Sequence, residues 1–236
     1  MAIGDHEVLM AQAAGHLLTD RLARVEERIQ AAAARAGRNR SEITLVAVTK
    51  KFPASIVREA YELGLRVFGE NYVQEFEAKS AELGALRGAQ YHFIGHLQSN
   101  KARLAADLFQ AIETVDSEKL AKRLDACGKS LEVMIEVKLS EEQTKAGAPA
   151  EALPALIGAI QRCANLRLTG LMTMPPWNEN PEVTRPYFRR LAELGRGHGL
   201  AKLSMGMSHD FEAAIEEGAT HIRVGTALFG PRRKGE

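Results

Sequence analysis

A lysine stands just beyond an apolar run in the segment ITLVAVTKKFP. The run ITLVAV has the length and the β-branched content of a buried strand. Lys50 shares its side-chain parity with Val46 and Val48, so inward-facing valines would aim its amine into the space beyond the strand end. Partial burial there would favour the neutral amine, which is the form that attacks an aldehyde. The alternative is a lysine that extends to solvent, as we expect for Lys51, which has the opposite parity.

Two turns near the end of the chain could bind an anion. In HIRVGTALFG, a strand-like run passes through Gly225 and Thr226 into a helical turn, where free N–H groups and a hydroxyl suit a phosphate. In LSMGMSHDFEAAIEEG, Ser208 stands where a helix N-cap is expected, and its hydroxyl could hold the other side of the same phosphate. A plain turn and an ordinary capped helix are the respective alternatives.

Four further polar side chains lie in or after strand-like runs. Arg223 shares the parity of Gly225, and Asn71 follows the second run, where it could donate to a ligand oxygen. His92 and His96 have the same parity in the third run, which is one way to begin a metal site. No carboxylate or cysteine at ligand spacing completes such a site, so we expect interior or rim histidines and no metal.

The elements that position these residues alternate along the chain. A leading helix over residues 1–37 precedes strand-like runs separated by helix-like segments, and a long loop, 174–182, follows the sixth run. The runs are 43–48, 66–69, 91–95, 111–115, 131–137, 166–172, 201–205 and 221–225. Alternation predicts a parallel sheet, and eight units favour a closed (β/α)8 TIM barrel, with a doubly wound open sheet as the alternative. In a closed barrel the carboxyl ends of all the strands meet at one face, so we expect the candidate residues to lie together there.

Composition sets the class of protein. The chain has 236 residues, 26% of them charged, and a formal net charge of +1, so charge favours neither nucleic acid nor a membrane surface. Cys127 and Cys163 have no metal-binding spacing and suit a reducing compartment. The N-terminus lacks the pattern of a secretion signal, and no linker divides the chain. We therefore expect one globular domain over residues 1–236, located in the cytoplasm.

The candidate residues together define a ligand. An amine, an arginine and two turns with phosphate-binding groups on one face imply a small molecule that carries an aldehyde, a ring and a phosphate. Pyridoxal 5′-phosphate (PLP) fits that description.

Six stretches in order resemble the YggS/PROSC family of PLP homeostasis proteins over nearly the whole chain: LVAVTKKFP, FGENYVQE, YHFIGHLQSNK, GLMTMPPW, MGMSHD and IRVGTALFG. The resemblance implies one barrel, similar to the N-terminal domain of alanine racemase, with PLP bound as an imine to Lys50. We assign no catalytic residue and no metal ligand. The expected cofactor-binding residues are Lys50, Asn71, Met207, Ser208, Arg223, Gly225 and Thr226.

Three positions depart from the family pattern. Thr49 stands where the family usually has serine and keeps the hydroxyl. Lys138 stands where the family tends to have asparagine, and it could add positive charge near the cofactor or compete for the aldehyde. His209 occupies a variable position, from which we infer nothing.

PLP catalysis needs a second acid or base opposite the lysine. In the alanine-racemase type, the resemblance implies that this is a tyrosine from another domain and subunit. Here the sequence ends at PRRKGE, soon after the eighth run, and none of the four tyrosines follows a strand as a base would. Arg223 near the pyridine nitrogen would keep that nitrogen unprotonated and weaken the ring as an electron sink.

We therefore predict a carrier rather than an enzyme. It would hold PLP as a lysine imine and release it by exchange with another amine, with PLP-dependent apoenzymes as candidate recipients. We expect a monomer without nucleic-acid or membrane partners. The alternatives are a low-activity racemase-like enzyme and a purely structural module, which would bind no coloured cofactor.

Overall fold

The computed structural model describes residues 4–140 and 146–231, with side chains from residue 17 onward. Strands and helices alternate after a leading helix. The strands are β1 Thr44–Val48, β2 Val67–Glu70, β3 Gln90–Phe93, β4 Ala111–Val115, β5 Leu131–Lys138, β6 Ala148–Pro149, β7 Leu166–Met172, β8 Lys202–Met207 and β9 His221–Val224. The helices are α1 Gly4–Arg35, α2 Ala54–Glu62, α3 Val73–Leu83, α4 Ala102–Leu108, α5 Glu118–Asp125, α6 Leu153–Gln161, α7 Arg185–Gly197, α8 Phe211–Glu216 and α9 Thr226–Phe229.

The sheet closes into a barrel of eight parallel strands. The order runs from β4 through β3, β2, β1, β9, β8 and β7 to β5, and β5 pairs with β4 to complete the ring. The two-residue strand β6 pairs only with the end of β5. The predicted TIM barrel is therefore confirmed, and the open-sheet alternative is wrong. The short strand β6 was not predicted, since two residues leave no hydrophobic pattern.

The main apolar core lies between the outer face of the barrel and the helices. Phe68, Ile112 and Ile135 belong to it and are fully buried. The inside of the barrel is more polar, because Glu113 of β4 hydrogen-bonds Ser204 of β8, and these strands are not neighbours in the ring. A contact between them has to cross the barrel interior.

Helix α1 packs against α8 and α9, the last two helices of the chain. Arg28 forms an ion pair with Glu212 at 3.0 Å and lies 4.3 Å from the centroid of the Phe211 ring. Gly37, with φ +66°, follows the end of the helix, as the sequence predicts. In the described part of the chain, no helix is both long and apolar enough to cross a bilayer.

Candidate functional site

A cavity of about 530 Å³ lies at the ends of β1, β8 and β9, on the face where the carboxyl ends of the strands meet. This is the face at which barrels of this class carry their functional sites. All seven expected cofactor-binding residues line it: Lys50, Asn71, Met207, Ser208, Arg223, Gly225 and Thr226. The sequence therefore predicted the location of the cavity and much of its wall.

Lys50 lies in a turn, and the residues immediately before and after it are both held by hydrogen bonds. β1 ends at Val48, so strand parity does not strictly extend to Lys50, although the residue lines the cavity as predicted. Thr49 donates its hydroxyl to Glu70 Oε1 at 2.7 Å. Lys51 is exposed, as expected, has φ +62°, and donates its backbone N–H to Glu75 Oε1 at 2.5 Å. The Thr49 side chain and the Lys51 backbone, on either side of Lys50, are thus each tied to another element.

A buried ion pair completes this support, and it was not predicted. Lys79 of α3 reaches Glu70 Oε1 at 2.7 Å and also donates to the Thr49 carbonyl at 2.9 Å. Burial raises the pKa of Glu70, while the charge of Lys79 and the hydroxyl of Thr49 partly oppose that rise. Lys79 thereby connects α3, β2 and the turn that carries Lys50.

Arg223 is buried at the base of the cavity. Its Nη1 donates to Ser204 Oγ at 2.7 Å and its Nη2 donates to the Thr173 carbonyl at 2.9 Å. Ser204 donates to Glu113 Oε2 at 2.5 Å, and Glu113 Oε1 lies 2.7 Å from His92 Nδ1. Burial lowers the pKa of Arg223, against the opposing charges of Glu113 and two other carboxylates. This chain of contacts fixes the orientation of the guanidinium group from below.

Ser208 does not cap α8, so that prediction was wrong. Helix α8 begins after Asp210, whose Oδ1 accepts the Met207 N–H at 2.8 Å and closes a tight turn. The turn leaves Ser208 Oγ facing β9, where it accepts the N–H groups of Gly225 at 3.2 Å and Ala227 at 3.1 Å. Two backbone donors therefore converge on one oxygen in the cavity wall.

The conformation of Gly225 does not itself require glycine. Its φ is −116°, and a Cβ built there would make only an ordinary 3.4 Å contact with Val48. The structure shows instead that the Gly225 N–H points toward Ser208 Oγ. The next residue, Thr226, is exposed.

Asn71 presents a polar atom that lacks a partner. Its Oδ1 is buried and has no hydrogen-bond partner among the described residues. The backbone of Asn71 lies so close to Gly95 that a Cβ on residue 95 would come within 2.3 Å of the Asn71 carbonyl oxygen. Gly95 therefore permits this close approach. The Asn71 side chain is then positioned to accept a hydrogen bond from a ligand.

The two histidines of the third run separate in the structure. His92 is buried beside Glu113 inside the barrel, whereas His96 is exposed and 3.8 Å from Asp116. The shared parity fails because β3 ends at Phe93 and the chain turns before His96. Within residues 4–140 and 146–231, no group of three or more potential ligands could hold a metal ion.

The loop after β7 forms the outer wall of the cavity. Trp177 is 74% exposed, and its ring lies 6.0 Å from that of His209. His209 Nε2 is 2.7 Å from the Glu179 carbonyl oxygen. His209 therefore lies in the cavity wall and contacts the loop, a role that sequence reasoning missed. Lys138, in contrast, does not line this cavity but a second, adjoining one.

Comparison with known proteins agrees with this arrangement. Residues 21–233 match the family model of the alanine racemase N-terminal domain. The pyridoxal phosphate homeostasis protein of Pseudomonas aeruginosa is 47% identical over 224 residues, which cover 92% of this chain and 97% of that protein. Its counterpart from Aquifex aeolicus is 46% identical, with 91% and 98% covered.

A solved structure extends the similarity to three dimensions. PipY of Synechococcus elongatus PCC7942, determined with PLP bound, is 39% identical to this chain and superposes with a TM-score of 0.78. The match covers 90% of this chain and 100% of PipY. The chain therefore belongs to the YggS/PROSC family of pyridoxal phosphate homeostasis proteins.

Proposed function

We propose that this chain binds PLP as an imine on Lys50 and releases it by exchange with another amine, without catalysing a reaction of its own. One observation carries the proposal. Lys50, Ser208 and the Gly225–Ala227 segment line the same 530 Å³ cavity, so one small molecule can reach both an amine and the Ser208 hydroxyl on which two N–H groups converge. The cavity lies within the size range of small-molecule sites.

The remaining side chains suit the chemistry of PLP. Ser208 Oγ accepts two backbone N–H groups, so its own hydroxyl proton can be donated to a phosphate oxygen. The unpartnered Asn71 Oδ1 can accept a hydrogen bond, and the ring hydroxyl of PLP is a donor. Arg223 has five N–H donors, and two of its nitrogens bind Ser204 and Thr173, which leaves others for the cavity. Bound PLP supplies a reactive aldehyde, and the protein supplies its binding site.

Two features support a carrier over a racemase-like enzyme. Arg223 is a permanent donor, and beside a ring nitrogen it would oppose protonation of that nitrogen and weaken carbanion chemistry. Within the described part of the chain, no tyrosine lines the cavity, so a racemase reaction would need its second acid or base from elsewhere. The curated relatives are likewise named for PLP homeostasis rather than for a reaction.

We further propose that residues 1–236 act as a single PLP-binding domain, with residues 1–37 as a leading helix, and that the protein is a cytoplasmic monomer. The family match over residues 21–233 supports one functional unit. Cys127 and Cys163 are both free thiols, which suits a reducing compartment.

Spectroscopy of the purified protein tests the proposed function. We expect a yellow protein with an imine absorption band that borohydride removes, and a loss of bound PLP when a primary amine is added. Incubation with L-alanine or L-serine should leave their chirality unchanged. Sustained racemisation would contradict the carrier function, and a protein that stays colourless after incubation with PLP would contradict binding altogether.

A further inference from the structure

A second cavity, of about 260 Å³, adjoins the first at the ends of β3 and β5. The two cavities share three wall residues, namely Asn71, Ile94 and Met174. A molecule in the second cavity therefore lies next to a ligand in the first. Nothing in the proposed binding of PLP uses this space, so its lining has to be explained separately.

The second cavity contains three groups that could handle protons and anions. Glu136 is buried on β5, with 4% of its surface exposed, and Lys138 follows it on the same side of the strand. His96 lines the opposite wall, near Asp116. Burial raises the pKa of Glu136, and the charge of Asp116 adds to this, whereas Arg223 and His96 oppose it. A carboxyl group that can take up a proton thus lines the same cavity as a lysine.

The backbone is shaped to form this cavity. Gly147 has φ +116°, and a Cβ there would lie 2.9 Å from the backbone nitrogen of Lys138. Residue 147 can therefore approach the end of β5 closely only because it is glycine. Gly95 approaches Asn71 still more closely, at 2.3 Å from a Cβ to the Asn71 carbonyl oxygen, and shapes the side of the cavity near Asn71.

We propose that the second cavity is the acceptor subsite, which binds an incoming amino acid with its carboxylate on Lys138 and its amino group directed toward PLP on Lys50. This inference rests on the proposed function. An amino acid fits better than a simple amine because the cavity offers a cation for a carboxylate and a carboxyl group for an ammonium.

The exchange step balances without any further reagent. The entering ammonium group gives one proton to Glu136 and becomes a nucleophile. Its nitrogen forms a bond to the aldehyde carbon of PLP, while the bond between that carbon and the Lys50 nitrogen breaks. The imine nitrogen of Lys50 begins this step with one proton. A second proton passes to it from the entering nitrogen and Glu136 returns the first, so Lys50 leaves as an ammonium and the new imine keeps one proton. No electrons are gained or lost.

Rapid mixing of holoprotein with L-alanine or with ethylamine, which lacks a carboxylate, tests the subsite. We expect Lys138→Met to raise the half-saturating concentration of L-alanine about tenfold and to leave that of ethylamine unchanged. Glu136→Gln should slow exchange with both amines about a hundredfold. Lys129→Met is the matched control, since Lys129 is exposed and pairs with Asp107, and it should change neither value.

The outcomes separate this inference from the proposed function. If borohydride traps no PLP on the wild-type protein, the proposed function fails first. If trapping is normal but Lys138→Met affects both amines equally, or neither, the acceptor subsite is wrong and the carrier function stands. Absence of saturation with L-alanine would overturn the subsite in the same way. Because Lys138 is only partly buried, we expect Lys138→Met to fold, and it tests the subsite by itself even if Glu136→Gln fails to fold.

Discussion

Acid should destabilise this protein through His221, a histidine buried inside the barrel. Burial lowers the pKa of His221 from 6.5 to about 4; Glu113 and Glu132 oppose the change, whereas His92 and Lys202 add to it. The folded protein therefore keeps this imidazole neutral at pH values where the unfolded chain binds a proton. The corresponding stability is fully present above pH 6.5 and is lost as the pH falls toward 4.

The size of the effect follows from the two pKa values. A difference of about 2.5 corresponds to about 3 kcal/mol of unfolding free energy, of which about 2 kcal/mol is lost between pH 7.5 and 5. Glu113 acts at lower pH. Burial raises its pKa, but the hydrogen bond and charge of His92, with His221 and Arg223, outweigh burial and lower it from 4.5 to about 2. Its contribution is present above pH 4.5 and is lost toward pH 2, so Glu113 adds little to the change between pH 7.5 and 5, and a comparison with a His221 variant isolates the histidine.

Urea unfolding at pH 7.5 and 5 measures this loss directly. Far-UV circular dichroism is the suitable probe, because the single tryptophan, Trp177, is 74% exposed and reports poorly on the core. The wild type and His198→Gln, a control at an exposed histidine, should lose about 2 kcal/mol more than His221→Gln over this range. An equal loss in all three proteins would refute the assignment of acid sensitivity to His221.

Three substitutions test the site. Lys50→Ala should abolish the borohydride-trapped PLP adduct while phosphate contacts retain some cofactor; an adduct that persists on another lysine would show that the imine lysine is misassigned. Thr226→Ala should weaken PLP affinity about tenfold in equilibrium dialysis, as expected for one lost hydrogen bond to a charged group, and unchanged affinity would argue against a phosphate contact. Lys79→Met should lower the free energy of unfolding by about 3–5 kcal/mol because Glu70 is left buried without its cation, whereas Lys122→Met, at a surface pair, should cost less than about 1 kcal/mol; similar losses in the two variants would show that the buried pair has no special role.

The barrel and the location of the site were predictable because they depend on local patterns. Buried parallel strands are nearly continuous apolar runs, as in ITLVAV and LEVMIEV, and these runs were identified with only small errors at their ends. Once the strands are parallel, residues that follow them meet on one face. Lys50 and Gly225 are far apart in the sequence but line one cavity for this reason.

The contacts inside the site depend on tertiary register, which the sequence does not state. Lys79 has the spacing of an ordinary helix residue, and only the packing of α3 on β2 brings its amine to Glu70. Ser208 has the spacing of an N-cap, but the tight turn at Asp210 directs it to another loop. One signal was available and not used: Glu113 in the middle of the strand-like run AIETV indicates a buried, paired carboxylate.

Mapping of the covalent PLP site tests the central claim most directly. Wild-type protein loaded with PLP is reduced with borohydride and digested, and the modified peptide is identified by mass spectrometry. The account predicts one reduced adduct, on Lys50 in the peptide that follows β1. Reduction that leaves Lys50 unmodified, whether or not another lysine carries PLP, would contradict it.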